Sequence, residues 1–428
     1  MTPRTRMTTW LLRAGAAATV AASSIAAQAQ TAVATAPARS AEVPLTLRQL
    51  FDAAWARQPE AMALQGRRDA ARAQQSAANA WTPEPAALEV SNKTDRLNGN
   101  QGARELEVGV AVPLWLPGER SGSTALAAAE SAAIESRATA AQLRVAAAVR
   151  EAWWQWQRAR IDADAARDQL DNTRRIAADV ARRTTAGDLA RADQHQADGA
   201  VASAEANLAQ AEAGLAAARQ QLRALAGAAP ALSEATGALA EPDPGAAAAD
   251  LESHAALQEL KDRAAVADRT AALASTQSRA NPELILATTS DRGAFGEASQ
   301  QTITLAVRIP FGGGPRHEAR SAKARAEATE VQAQLALERE RVIADREAAK
   351  IRVDASRSQL AAAERRAQLA RESRGFFDKS FRLGETDLPT RLRIEAEAAE
   401  AERQAARTRI ELAAAISAWR QALGLLPQ

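Results

Sequence analysis

Two stretches 197 residues apart share one grammar. In VAVPLWLPGER, at residues 110–120, a period-2 alternation of apolar residues runs into Pro113, Trp115, Pro117 and Gly118, and a long helical run follows. In VRIPFGGGPR, at residues 307–316, the alternation runs into Pro310, Phe311 and three glycines before a second long helical run. Gly187 and Gly384 keep the same offset. The fold therefore has to accommodate one supersecondary plan used twice.

Each unit reads in the same order. In the first, residues 45–80 are expected to form a helix, with Leu47, Leu50, Phe51, Ala54 and Trp55 on its apolar side. Trp81-Thr82-Pro83-Glu84-Pro85 breaks it, and residues 86–92 and 104–112 alternate as two strands of a hairpin. Leu106, Val108, Val110 and Val112 share one face, opposite Glu105, Glu107, Gly109 and Ala111. Residues 122–183 then run without proline or internal glycine, on the order of 90 Å of helix. A break at 184–188 precedes another helix over 190–226. The second unit repeats this: helix 250–279, breaker Asn281-Pro282-Glu283, strands 284–290 and 301–309, helix 317–380, a break near 382–387 and helix 388–423. The expected division is a first repeat at 45–229 with its tip near 184–190, a linker at 230–249, and a second repeat at 250–428 with its tip near 382–389.

The helices carry a coiled-coil seam. Val201, Leu208, Leu215 and Leu222 recur every seventh residue, with Ala204, Ala211, Ala218 and Leu225 between them. The seam recurs at Ala398, Ala401, Ala405, Thr408, Leu412, Ala415, Trp419 and Ala422. Apolar residues make up 46% of the chain but aromatics only 3%, so alanine supplies most of the count and favours close helix packing over a bulky centre.

The N-terminus reads as a secretory signal: Arg4, Arg6 and Arg13, an apolar stretch, and an Ala27-Gln28-Ala29 cleavage site, giving a signal peptide at 1–29 and an N-terminal extension at 30–44. Without those three arginines the formal charge falls from +2 to about −1, so the case for a nucleic-acid partner disappears. No cysteine exists for disulfides, thiolate metal sites or a lipid anchor. His195, His254 and His317 have no metal-ligand spacing, and no nucleophile elbow, phosphate loop or dinucleotide fingerprint occurs, so neither catalytic, cofactor nor metal residues are expected. Beyond the signal no apolar run reaches about 18 residues, so any membrane insertion must use strands. Four strands with one apolar and one polar face cannot close alone. Three copies would give twelve, the alternation of an outer-membrane barrel around a pore.

This order of elements, with VPLWLPGER, RIPFGGGPR and the LGETDL before the last helix, resembles the TolC-like outer membrane factors over nearly all of the mature chain. VPLWLPGER is most similar to the branch serving heavy-metal efflux pumps of the CzcC or CusC kind. The resemblance implies a mainly α fold: a trimeric α-helical barrel in the periplasm joined to a 12-stranded β-barrel in the outer membrane of a Gram-negative bacterium. It also implies docking to a periplasmic adaptor, or membrane fusion protein, and an inner-membrane RND transporter. The expected role is a passive exit duct for heavy-metal cations. A drug-efflux or type I protein-secretion duct, or a soluble periplasmic coiled-coil adaptor or scaffold, are the alternatives.

Two sets of residues follow. Pro113, Trp115, Pro117, Gly118, Pro310 and Phe311 are expected at the membrane interface, with Trp81 and Phe295 beside them, since the strands themselves contain no aromatic. Pro113 is expected to end strand pairing because it lacks an N–H. The resemblance places Gly187, Asp188, Gly384, Glu385 and Asp387 at the periplasmic entrance, where the acids either attract cations or cap helices. Where related channels carry aspartates, Arg391 and Arg393 stand here. Trp153 and Trp156 share one helical face and read as a packing layer, and Trp154 points elsewhere, toward a neighbouring subunit.

Overall fold

Thr46 opens the first helix with a capping box: its hydroxyl accepts the Gln49 N–H, and the Gln49 side chain accepts the Thr46 N–H. The computed structural model describes residues 46–227, 240–244, 250–312 and 314–428. The signal peptide, the N-terminal extension, most of the linker and Gly313 lie outside the described residues.

The expected helix over 45–80 is two helices, α1 (Leu47–Ala56) and α2 (Pro59–Ala78). Pro59 takes the first position of α2, where its missing N–H costs nothing, and the break before it turns α1 back over the helical body. Strands β1 (Ala87–Thr94) and β2 (Arg104–Pro113) lead into α3 (Glu119–Ala186), and α4 (Arg191–Ala226) returns along it. In the second unit a short 3-10 turn at Leu251–Ser253 precedes α5 (Ala255–Thr276). Then come β3 (Glu283–Arg292), β4 (Gln300–Arg308), α6 (Gly314–Arg382) and α7 (Leu388–Ala422).

Each long helix serves two layers. Near the sheet, α3 packs on α2 and α5, and α5 packs on α6. Farther out, α3 pairs with α4, and α6 with α7, antiparallel as the ion pairs Arg174–Glu205 and Arg409–Glu364 require. The heptad seam of α4 is its inward stripe: Ala204, Leu215, Ala218 and Leu222 are buried, and Val201, Leu208, Ala211 and Leu225 half-buried.

The main core lies where α1 crosses α3 and α4, with α7 packed on α3 beside them. Leu47, Leu50 and Phe51 of α1 meet Trp153, Trp154 and Trp156 of α3, Leu222 of α4 and Ile410 of α7. The rings of Trp153 and Trp156 lie 5.1 Å apart at 47°. Trp154 is as buried as the other two, at 3% exposure. It therefore packs inside its own chain rather than facing a neighbour, because α1 folds back over the side of α3 that would otherwise be open.

Candidate membrane-spanning sheet and channel entrance

The four strands form one antiparallel sheet in the order β1-β2-β3-β4, so the two hairpins join through β2 and β3. The register puts Leu88 opposite Val110, Val110 opposite Leu286 and Leu286 opposite Leu305. The same alternation stacks Glu89, Gly109, Ala287 and Thr304 across the other face. Leu305 is 71% and Ile303 81% exposed, and none of the described elements covers this apolar face. On the polar face Ala111 and Ala287 are 4% and 3% exposed although the sheet is a single layer. These small residues lie beneath the larger side chains beside them. The sheet thus presents one polar and one apolar face, and β1 and β4 are left as open edges.

The first strand-to-helix junction is buried and densely bonded. Pairing does not stop at Pro113: it is opposite Glu283, and the Leu114 N–H donates to the Pro282 carbonyl at 2.7 Å, so the ladder runs one bond past the proline. Trp115 is half-buried rather than displayed, and its indole N–H donates to the Ala80 carbonyl beyond the end of α2 at 3.2 Å. After Pro117, Gly118 takes φ +81° and starts α3, a conformation that a side chain would strain. Glu119 is only 2% exposed. Its Oε2 accepts the Leu116 N–H at 3.0 Å and the Asn281 amide at 2.7 Å, and its Oε1 accepts the Gln277 amide at 2.7 Å. Asn281 also donates to the Leu114 carbonyl at 3.0 Å. One carboxylate therefore ties the first junction to the breaker of the second unit. In the sequence it reads as an ordinary acid in a first helical turn, and only the breaker Asn281 hints at a partner.

The second junction is different. Pro310 and Phe311 follow the edge strand β4, Phe311 is 86% exposed, and Gly312 takes φ +82°. Arg316 stands where Glu119 stands in the first unit. β2 lies inside the sheet and has a neighbour to bond, whereas β4 has none in this chain. The aromatics displayed on this level are Trp81, 94% exposed, and Phe311.

At the opposite ends of α3 and α6 two glycine caps turn the chain. Gly187 takes φ +90° and the Asp188 N–H donates to the Arg183 carbonyl at 2.9 Å; Gly384 takes φ +77° and the Glu385 N–H donates to the Ser380 carbonyl at 3.0 Å. Asp387 caps α7, accepting the Thr390 N–H at 3.2 Å, and its hydrogen bonds to Thr390 hold its carboxyl below the usual carboxylate range. Asp188 caps nothing: Ala190 holds that place on α4, and Asp193 reaches back to its N–H at 3.1 Å. Asp188 and Glu385 are exposed.

Arg391 is not a free charge. It pairs with Asp378 at 2.8 Å and Asp179 at 3.7 Å, and its guanidinium lies 4.6 Å from the centre of the Phe381 ring. Arg183 lies 4.9 Å from the same ring. These contacts join α3 of the first unit to α6 and α7 of the second, over a cluster of Ile176, Val180, Ala197, Phe381 and Leu388. Arg393 is exposed and pairs with Glu397 on its own helix at 2.7 Å. Among the described residues no helix is long and apolar enough to cross a membrane, and no group of three His, Asp or Glu is placed to hold a metal.

Residues 50–228 match the family model described as outer membrane efflux protein. The first unit of the chain therefore carries the sequence pattern of the outer membrane efflux protein family. Solved structures of similar fold include the outer membrane protein VceC of Vibrio cholerae, at 18% identity with a TM-score of 0.69, covering 88% of this chain and 96% of that one. CusC, whose structures concern transmembrane channel formation, aligns at 16% identity and a TM-score of 0.74 over 89% of this chain and 92% of its own. The MtrE outer membrane channel of Neisseria gonorrhoeae gives 15% and 0.68 over 89% of both chains. No curated protein matches the chain in sequence. These likenesses show one fold across both units of the chain, whereas the family model matches only the first.

Proposed function

We propose that this protein is the exit duct of a tripartite RND-type pump. Three copies close their sheets, β4 of one against β1 of the next, into a 12-stranded barrel in the outer membrane of a Gram-negative bacterium. The helices form a periplasmic tunnel that meets a periplasmic adaptor and an inner-membrane transporter. The duct is passive: it conducts what the pump delivers and performs no chemistry. The observation that carries this reading is the four-stranded sheet, with an apolar face that no described element covers, an opposite polar face and two unpaired edges.

Heavy-metal cations are the proposed cargo. The motif at 112–120 supports this by its likeness to the metal branch, and the polar face of the sheet supports it by charge. That face carries Glu89, Glu105, Glu107, Glu283 and Asp291 against Lys93 and Arg308. Lys93 pairs with Glu105 at 2.8 Å and Arg308 with Glu283 at 3.0 Å, which leaves an acidic excess in the lumen that favours cations. The test is a deletion strain complemented with this chain and challenged with divalent and monovalent metals and with hydrophobic drugs. Restored growth in metals alone supports the cargo. Restored growth in drugs alone moves the chain to a drug duct, and restoration in neither sinks the efflux reading.

A further inference from the structure

The segment joining the two units is rich in Ala, Pro and Gly and reads as a spacer, yet its described residues 240–244 hold a fully buried carboxylate. The Glu241 side chain is 0% exposed, and the two guanidiniums on it are each 4% exposed. Arg150 of α3 grips it through both oxygens, at 2.6 Å to Oε1 and 2.8 Å to Oε2. Arg420 of α7 donates to Oε1 at 3.3 Å, and the Ser417 hydroxyl donates to Oε2 at 2.5 Å. The arginines are themselves held. Arg150 also donates to the Gln421 side chain at 2.6 Å and the Leu425 carbonyl at 3.0 Å, and Arg420 donates to the Pro242 carbonyl at 3.1 Å. Next along the strap, Asp243 pairs with Arg357 of α6.

Two buried guanidiniums on helices of different units would repel across a medium that screens them poorly. One carboxylate between them turns that repulsion into a bond. We infer that Arg150, Arg420 and Ser417 form a carboxylate receptor and that Glu241 is its tethered ligand, so that the strap at 240–244 locks the first unit to the second beside the tryptophan layer. Pro242 and Pro244 restrict the free strap and reduce the entropy lost on docking. The device uses no part of the sheet or the entrance, and it stands whether or not the cargo is a metal.

The chain has no cysteine, so an introduced one is unique. A nitroxide on A240C, at an exposed site on the strap, reports docking directly, and the melting temperature of the detergent-solubilised full chain reports the lock. With Glu241 present the label is expected to be immobilised. In E241A it is expected to become mobile while the melting temperature falls by about 5 °C or more, since removing one partner strands buried charge. Acetate, compared with chloride at equal ionic strength, is expected to restore the melting temperature without immobilising the label, because a free carboxylate fills the receptor and leaves the strap loose. Should E241A not accumulate, E241Q keeps the shape and removes the charge, and its label is expected to be mobile too. A label still immobile without the carboxylate charge, an unchanged melting temperature, or acetate no better than chloride would each overturn the inference.

Discussion

Glu119 and His254 illustrate how single residues carry the architecture. Glu119 satisfies a backbone N–H and two side-chain amides from both units while almost fully buried. Replacing it with alanine strands all three donors, and E119A is expected to cost about 3 kcal/mol in denaturant unfolding of the solubilised protein. A loss near that of an exposed surface acid would mean that the junction is held by packing alone. His254 begins α5, and a Cβ on Gly424 would come 2.9 Å from its ring, so the C-terminal turn presses on it closely. Burial first, then the Arg346 charge, holds its imidazole below the ordinary value, with Glu338 opposing. The unfolded chain takes up a proton below about pH 6.5 that folded His254 still refuses, so stability falls as pH drops through that value and levels off below the folded pKa. H254N is expected to flatten this part of a melting-temperature curve taken from pH 8 to 5; an unaltered slope would assign it to other groups. Neither residue announced its role in the sequence. The burial of Glu119 depends on Asn281, more than 160 residues away, and that of His254 on Gly424, at the other end of the second unit.

At the scale of elements, what was legible followed from periodicity. The period-2 runs placed the apolar residues of β2 and β4 on one face, and the heptads of α4 became its inward stripe. What was not legible depended on where elements cross. The break between α1 and α2 carries little local signal besides Pro59, and α1 buries Trp154 only because it folds back at that break. The two junctions looked alike because they share Pro, an aromatic and Gly. They differ because one strand is central and the other an edge. The sheet yields a directional test. Leu286, in the middle of β3 on the apolar face, is expected to tolerate lysine badly, with L286K losing roughly 2–4 kcal/mol in lipid. Thr304 lies on the polar face, and T304K is expected to stay within about 1 kcal/mol of the parent. Equal losses in refolding into vesicles would contradict the assignment of the faces.

For the whole molecule, duplication supplies nearly everything except closure. Two units give four strands and two antiparallel helical pairs, bonded to each other by Glu119 near the sheet, Glu241 in the middle and Arg391 at the far end. None of these bonds covers the apolar face or the edges of the sheet. A single chain therefore leaves two strand edges unpaired, and the proposed completion is two further copies in a lipid bilayer. The most direct measurement is single-channel conductance of the purified protein in a planar bilayer, with reversal potentials taken in a salt gradient. Discrete steps of one size are expected, with a preference for cations set by the carboxylates of the polar face. Failure to insert, with the protein remaining a soluble monomer, would contradict the barrel and leave a periplasmic coiled-coil scaffold in its place.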